Sequence, residues 1–446
     1  MDPYAAHARA SAQLAVQLGE FRSRRAPVRL GKSTSNLFRR RDGEHSAKLD
    51  AGSLTRVLHV DPMRRVADVE GMVPYDALVE ATLRHGLLPA VVPQLKSITV
   101  GGAVSGVGIE SSSFRYGLVH ETVEEMELLL GNGRIVVCSP HEGADLFFGF
   151  PNSYGTLGYA LRLKVQLVPA RRYVHVIHTR FSGPDSYFSR IADLCAAKRI
   201  AFLDGVIFDP GEMYLTEGVF TDQAPAVSDY TWMHVYYQSI RSRQEDWLTA
   251  RGYIWRWDTD WFWCSKQFHA QHPLVRLLAT KWLLNSRTWQ RIMRLSHNLP
   301  ARLTSSEGRT ESVIQDVDIP LARASEFLEF LLSEIGITPI WICPIRAAEA
   351  PARFPLYPLA PETVYVNFGF WDMIPTRFPA GHFNRLVEEK LVKLGGIKGL
   401  YSSVYFDRET FGELYGEPAY RALKARYDPD GVFPDLYAKC TASRGA

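Results

Sequence analysis

Over the first ~25 residues, apolar positions recur at helical spacing, which predicts an amphipathic helix at the start of the chain. Between residues 28 and 170 the pattern shifts to short runs of period near two, separated by glycine-rich loops. VLHV (57–60) and VADVEG (66–71) read as strands. Pro74 suits the first turn of a helix over PYDALVEATLRHG, and Gly86 suits its stop. VEEMELLL and RIVVC, joined by Gly131-Asn132-Gly133, read as a hairpin. ADLFFGF reads as a short helix and LRLKVQLVP (161–169) as a further strand. Beyond Arg171 the elements lengthen, with strands over VIQDVDIP (313–320), PIWICPI (339–345) and TVYVNFGF (363–370). The expected layout is α+β in four parts: a helical extension (1–26), a nucleotide-binding domain (27–172), a cap or substrate domain (173–395) and a C-terminal return (396–446) that completes the nucleotide-binding side.

Composition narrows the classes. With 446 residues, 46% hydrophobic and 22% charged, the chain has enough apolar side chain for a large core. A net charge of +3 gives no case for nucleic acid as a partner. Five scattered cysteines without a CxxC pair argue against a disulfide framework or a metal cluster and for a reducing compartment. With no secretory h-region and no long apolar run, the protein is expected in the cytoplasm, peripheral on the inner face of the membrane. Charge is unevenly placed. Between Trp232 and Arg294 there are ten Lys/Arg against four Asp/Glu, together with eight of the ten tryptophans. Within it, over 273–295, Leu274, Leu278, Trp282, Trp289 and Ile292 fall near one helical face and Arg287, Arg291 and Arg294 on another. Such a helix suits either an anionic lipid surface or an ordinary exposed cap.

Three loops carry the chemical signal. Lys32-Ser33-Thr34-Ser35-Asn36 follows the strand-like VRL and Gly31. SITVGGAVSGVGIESSSFRYG (97–117) places Gly101, Gly102, Gly106 and Gly108 within eight residues, followed by Ser111 and Ser112. Asn152 to Gly158 contains Gly155, Thr156 and Gly158. Glycines allow close backbone approach to a phosphate, whose oxygens then meet amides and hydroxyls. Neither G-x-G-x-x-G nor the P-loop spacing is present, so a nicotinamide-type dinucleotide fold is disfavoured. Three such loops in one region suggest a long ligand with a pyrophosphate, threaded between subdomains.

TVGGAVSGVGIESSSFRYG, ETVEEMELLLGNGRIV and DLFFGFPNSYGTLGYALRLKVQLVPA together resemble the FAD-binding domain of the vanillyl-alcohol-oxidase-like (PCMH-type) flavoproteins. Within that superfamily the chain is most similar to the delta-24 sterol reductase group, over roughly residues 55–440; VIQDVDIP, PIWICP, VYVNFG and FGELYGEPAYRALKARY keep that group's order. The resemblance implies a two-subdomain FAD-binding domain with an α+β cap over the flavin ring. It implies FAD held by Lys32, Ser33, Thr34, Ser35, Asn36, Thr99, Val100, Gly101, Gly102, Gly106, Gly108, Ser111, Ser112, Tyr116, Gly155, Thr156 and Gly158. Residues 31–36 and 97–117 hold no His or Cys, the residues through which many relatives attach flavin, so non-covalent FAD is expected.

The family likeness implies reduction of an isolated carbon–carbon double bond in a lipid, either a sterol side chain or a methylene-branched fatty acyl chain. Electrons would come from NADPH or a partner reductase. The alternative is an FAD-dependent oxidase or dehydrogenase of an alcohol or hydroxy acid, which needs a base and polar groups for a hydroxyl. A non-enzymatic lipid-surface scaffold is a third reading, and the intact glycine loops count against it. Alkene reduction needs a proton donor, and Glu110, Asp316 and Tyr405 are the candidates. Trp255, Arg256, Trp263, Gln315, Trp341 and Tyr365 are candidate substrate contacts. YIWRWDTDWFWC (253–264) stands where the sterol reductases carry Tyr-Tyr-His-Arg-His and then Phe-Trp-Glu. Trp255 and Trp257 replace the two histidines and Cys264 the glutamate, which makes the site more apolar and suits a long hydrocarbon.

Overall fold

A computed structural model of the protein describes residues 2–32, 38, 46–297, 310–348 and 354–441. The first helix, Pro3–Ser23, is capped by Asp2, whose side chain accepts from the Tyr4 amide. It buries His7, Ala10, Ser11, Leu14 and Leu18, positions spaced three and four apart. His7 lies between Glu70 (3.2 Å) and Glu127 (3.0 Å). Burial opposes its charge, but the two carboxylates outweigh that and raise its pKa to about 9, so the helix is docked by an imidazolium.

Two antiparallel sheets organise the body. In the N-terminal sheet, Gly158–Pro169 is central, flanked by Val66–Glu70 with Val57–Asp61 beyond, and by Val123–Leu130 with Ile135–Cys138 beyond. The hairpin over 131–133 forms as its glycines predict, with Gly133 at φ +84°. A separate parallel pair, Val28–Gly31 with Ala47–Asp50, packs beside the first helix. The second sheet has eight strands, in the order Glu245–Thr249, Tyr173–Phe181, Glu212–Thr221, Phe202–Asp209, Ile340–Arg346, Val364–Pro375, Thr310–Pro320 and Ile397–Lys398.

Register in this second sheet decides the site. Thr310–Pro320 pairs with Val364–Pro375 so that Ile314 faces Trp371, Asp316 faces Gly369 and Asp318 faces Asn367. Side chains alternate across a strand, so those three rows share one face. The opposite face carries Glu311 and Gln315 against the helix His382–Lys393, where Gln315 donates to Asn384 (2.6 Å) and Asn384 donates to Glu311 (2.7 Å). The C-terminal helix Glu417–Tyr427 returns to the N-terminal half, where Lys424 donates to the Thr156 carbonyl (2.7 Å) and pairs with Asp428 (2.6 Å).

The pattern over 273–295 is not one helix. Pro273–Leu283 and Ser286–His297 are separate: Leu284 leaves helical geometry (ψ +81°) and Asn285 starts the second helix by accepting from the Thr288 amide (3.1 Å), while Thr280 (φ +58°) kinks the first helix from within. The single apolar face expected from spacing is therefore split. Trp289 is buried and donates to the Thr259 carbonyl (3.0 Å), whereas Leu274, Leu278 and Trp282 point to solvent.

Candidate active site

A cavity of about 1350 Å³ runs between the two sheets. One end is lined by the 99–108 loop, by Gly155 and Gly158, and by the cations Arg22, Arg25, Arg29, Lys32 and Lys439. The other end is lined by Trp261, Phe262, Trp263, Trp341, Phe370 and Trp371, with Asp316 and Asp318 among them. The volume exceeds the ~300–1000 Å³ usual for a single ligand, so a dinucleotide and a second molecule both fit.

The glycine loop works by close approach. Thr99 caps a short helix, Val100–Ser105, by accepting from the Gly102 amide. A Cβ on Gly102 would lie 2.8 Å from Thr99 Oγ1, and one on Gly106 would lie 3.1 Å from the Gly102 carbonyl oxygen. The amides of Gly101 and Gly108 are already bonded to the carbonyls of Gly71 and Ala103. This corrects the expectation that the loop offers a row of open amides. What the loop presents is bare Cα surface, next to cations from other segments. Gly155 has φ +77°, and a Cβ there would sit 2.7 Å from the Tyr159 ring.

Several predicted residues lie elsewhere. Ser111 Oγ is 3.2 Å from the Tyr253 hydroxyl and Ser112 donates to the Ala90 carbonyl (2.7 Å); neither reaches the cavity. Val100 and Thr156 are buried behind the loops, and Tyr116 sits beside a second, very small pocket. Ser33 to Asn36 lie outside the described residues. Lys32, Thr99, Gly101, Gly102, Gly106, Gly108, Gly155 and Gly158 all line the cavity.

Among the proposed acids, only Asp316 lines the large cavity. Burial raises its pKa to about 7, helped by the nearby Asp318 charge and opposed by a hydrogen bond from the Tyr401 hydroxyl. Tyr401 also lines the cavity. Asp318 accepts from Tyr357 (2.5 Å) and Asn367 (2.7 Å), and burial lifts its pKa to about 6. Glu110 is turned away. It pairs with Arg256 (3.0 Å), which also holds Asp204 (2.7 Å), and it accepts from Gln94 (3.0 Å) and the Ser111 amide (2.8 Å). Tyr405 packs under the Arg385 guanidinium at 4.6 Å, outside the cavity lining.

The predicted substrate contacts divide in the same way. Trp263 and Trp341 line the cavity. Trp255 and Arg256 belong to the layer behind it, Gln315 to the far face of the sheet, and the Tyr365 hydroxyl accepts from the Ala360 amide (3.1 Å). Arg256 acts on the wall indirectly, because Asp204 also accepts from Trp341 Nε1 (3.2 Å). Sequence reasoning missed Asp318, Tyr357 and Asn367, and it missed Trp261, Phe262 and Trp371. Trp261, Phe262 and Trp263 all have positive φ (43°, 49° and 28°), a conformation costly for side-chain-bearing residues. That turn presents all three rings to the cavity.

Residues 4–139 match the FAD binding domain family model. That stretch of the chain is thus similar to an FAD binding domain. Across more of its length it is similar to the human Delta(24)-sterol reductase, 26% identical over 407 residues, spanning 88% of this chain and 77% of that protein. The Arabidopsis thaliana Delta(24)-sterol reductase is 24% identical over 445 residues, 89% of this chain and 77% of the relative. Cytokinin dehydrogenase 7 of Oryza sativa is 33% identical over 132 residues, 30% of this chain and 25% of its own. The two-ended cavity fits the cofactor this domain binds: cations and bare glycines suit a diphosphate, and the aromatic end suits a flat ring. The N-terminal sheet carries the FAD-binding domain's glycine loops, and the eight-stranded sheet supplies the α+β cap.

Proposed function

We propose that the protein is an FAD-dependent reductase of an isolated carbon–carbon double bond in a lipid, with non-covalent FAD recharged by NADPH. The observation that carries this is Asp316: a carboxyl with its pKa raised to about 7, hydrogen-bonded by Tyr401, set in a wall of tryptophan and phenylalanine beside the FAD-binding loops. Bound FAD supplies hydride equivalents. The chain must supply the rest. An isolated alkene has no carbonyl to polarise, so the proton has to come from an acid that stays protonated at neutral pH and is screened from water. Asp316 holds that proton at its carboxyl, and Tyr401 orients it. Aromatic faces from Trp261, Phe262 and Trp341 lie where a developing positive charge gains from π electrons. Among the described residues lining the cavity there is no His or Cys, which supports non-covalent cofactor.

An alcohol oxidase needs polar contacts for a hydroxyl; at the cap end the Asp316–Asp318 row and its hydrogen-bond partners stand within a wall of aromatic and aliphatic side chains. A methylene-branched acyl chain is favoured over a sterol nucleus because Trp261, Phe262, Trp263, Trp341, Phe370 and Trp371 give this end apolar surface for a long hydrocarbon; Trp255 and Trp257 lie behind that wall and do not decide the substrate. The site of action is proposed as the cytoplasmic face of the membrane. Purified protein, reduced anaerobically with NADPH, is expected to bleach. It is expected to be re-oxidised by a methylene-branched acyl lipid faster than by a sterol with a side-chain alkene. Re-oxidation by an alcohol-derived ketone alone would sink the reading.

A further inference from the structure

The helix Pro273–Leu283 poses a physical problem. Leu274 is 63% exposed, Leu278 81% and Trp282 79%, with Val275, Leu277 and Leu283 also exposed. A surface helix ordinarily turns such residues inward. Here the inward residue is Arg276, which is fully buried. Its guanidinium donates to Asp260 (2.5 Å), to the Trp232 carbonyl (2.5 Å) and to the His234 carbonyl (3.2 Å), while Trp232 Nε1 donates back to the Arg276 carbonyl (2.8 Å). The helix is thus held by one buried ion pair, and its apolar side chains are left for something else. Contiguous exposed leucine and tryptophan on this scale mark an interaction surface.

We infer that this face docks the protein on an anionic lipid bilayer. Residues 273–297 contain Arg276, Lys281, Arg287, Arg291 and Arg294 and no Asp or Glu. Lys281 and Arg291 are exposed. Leucine and tryptophan flanked by cations suit an interface of acyl chains and acidic headgroups. A second copy of the chain would bring like charges together on the same face. The position also matters. Leu284, Trp289 and Ile292 pack in one apolar cluster with Trp261, Leu95 and Trp371, all three of which line the large cavity. Docking through this helix puts the aromatic end of the cavity beside the membrane, giving a lipid a short path inward.

The face rests on geometry; the lipid-substrate reading gives it its purpose. The test is flotation of the FAD-loaded protein with phosphatidylcholine vesicles, with and without phosphatidylglycerol. Binding is expected chiefly to the anionic vesicles. L278E/W282E is expected to lose at least about tenfold in binding, while FAD content and bleaching by NADPH stay unchanged. Should the double variant lose FAD, the single exposed change Leu278→Gln is used, with a smaller loss expected. Wild-type protein that stays off both vesicles overturns the inference, as does a variant that binds like wild type. Concentration-dependent dimerisation that needs Leu278 and Trp282, without vesicle binding, assigns the face to a second copy and also overturns it. Vesicle binding by a protein that reduces no lipid alkene sinks the proposed substrate and leaves the docking face standing.

Discussion

Glu110 and Asp316 are both acids in the interior, and burial raises the pKa of both. Their surroundings differ. Glu110 shares one guanidinium, Arg256, with Asp204, and its remaining contacts come from Gln94 and the Ser111 amide. One cation serves two carboxyl groups in that cluster, which lies outside the lining of the large cavity. Asp316 has a hydroxyl partner and a second carboxyl two residues along, and it faces the cavity. A raised pKa alone therefore does not identify a proton donor; what the group can reach does. Glu110 ties the loop to the cap and holds Trp341 through Asp204, whereas Asp316 meets whatever enters.

The sharpest way to break this contrast is to remove one proton at a time. Asp316→Asn is expected to lower turnover by roughly 10²- to 10⁴-fold with FAD content intact, read by stopped-flow re-oxidation of the flavin. Glu110→Gln should stay within a few-fold. The reverse result would hand the proton to Glu110. Next in size is Arg256→Met, which leaves Glu110 and Asp204 buried together without their cation. A loss of about 3–5 kcal/mol in urea unfolding is expected. A change near zero would mean that water already reaches the cluster.

Two smaller perturbations act on Asp316 through its neighbours. A Cβ on Gly369 would sit 2.7 Å from Asp316 Oδ1 and 3.1 Å from the Trp341 ring. Gly369→Ala should displace the carboxyl and slow turnover by up to about 10²-fold without affecting cofactor loading. Tyr401→Phe removes the hydrogen bond that lowers the Asp316 pKa. The rate should fall as pH rises through about 7 in the wild type, and that falling limb should move to higher pH in the variant. A limb that stays in place would detach Tyr401 from the acid.

Much of this was legible in the sequence, and the failures are instructive. The glycine loops, the hairpin over 131–133 and the strand carrying Asp316 follow from local patterns. Period-two alternation in VIQDVDIP was enough to separate Gln315 from Asp316 and to join Asp318 to it, a signal that was present and unused. Asn367 and Gly369 were not legible, because their meeting with Asp318 and Asp316 depends on the register between strands some fifty residues apart. Tyr357 reaches the site from a loop. The left-handed run at Trp261 to Trp263 contradicts local preference, so no propensity argument finds it. The helix at 273–283 misled for a related reason. Spacing shows which residues share a face but not which face a protein turns inward, and here a single arginine decided it.

The smallest expected effect concerns stability and separates the acid's chemistry from its catalysis. The folded pKa of Asp316, about 7, lies above the ordinary aspartate value near 4 that it regains on unfolding. The folded state therefore binds its proton more tightly. Any stability linked to that proton is fully present below pH 4 and is lost as pH rises through 7. In Asp316→Asn the linkage vanishes, since the amide does not titrate. At pH 3, where the carboxyl is protonated both folded and unfolded, the two proteins should melt at nearly the same temperature. At pH 9 the variant should melt higher, because the wild type then carries an anion among tryptophans with one hydroxyl to answer it. Equal melting temperatures at both pH values would mean that Asp316 ionises as easily folded as unfolded, and the contrast with a solvated carboxylate would disappear.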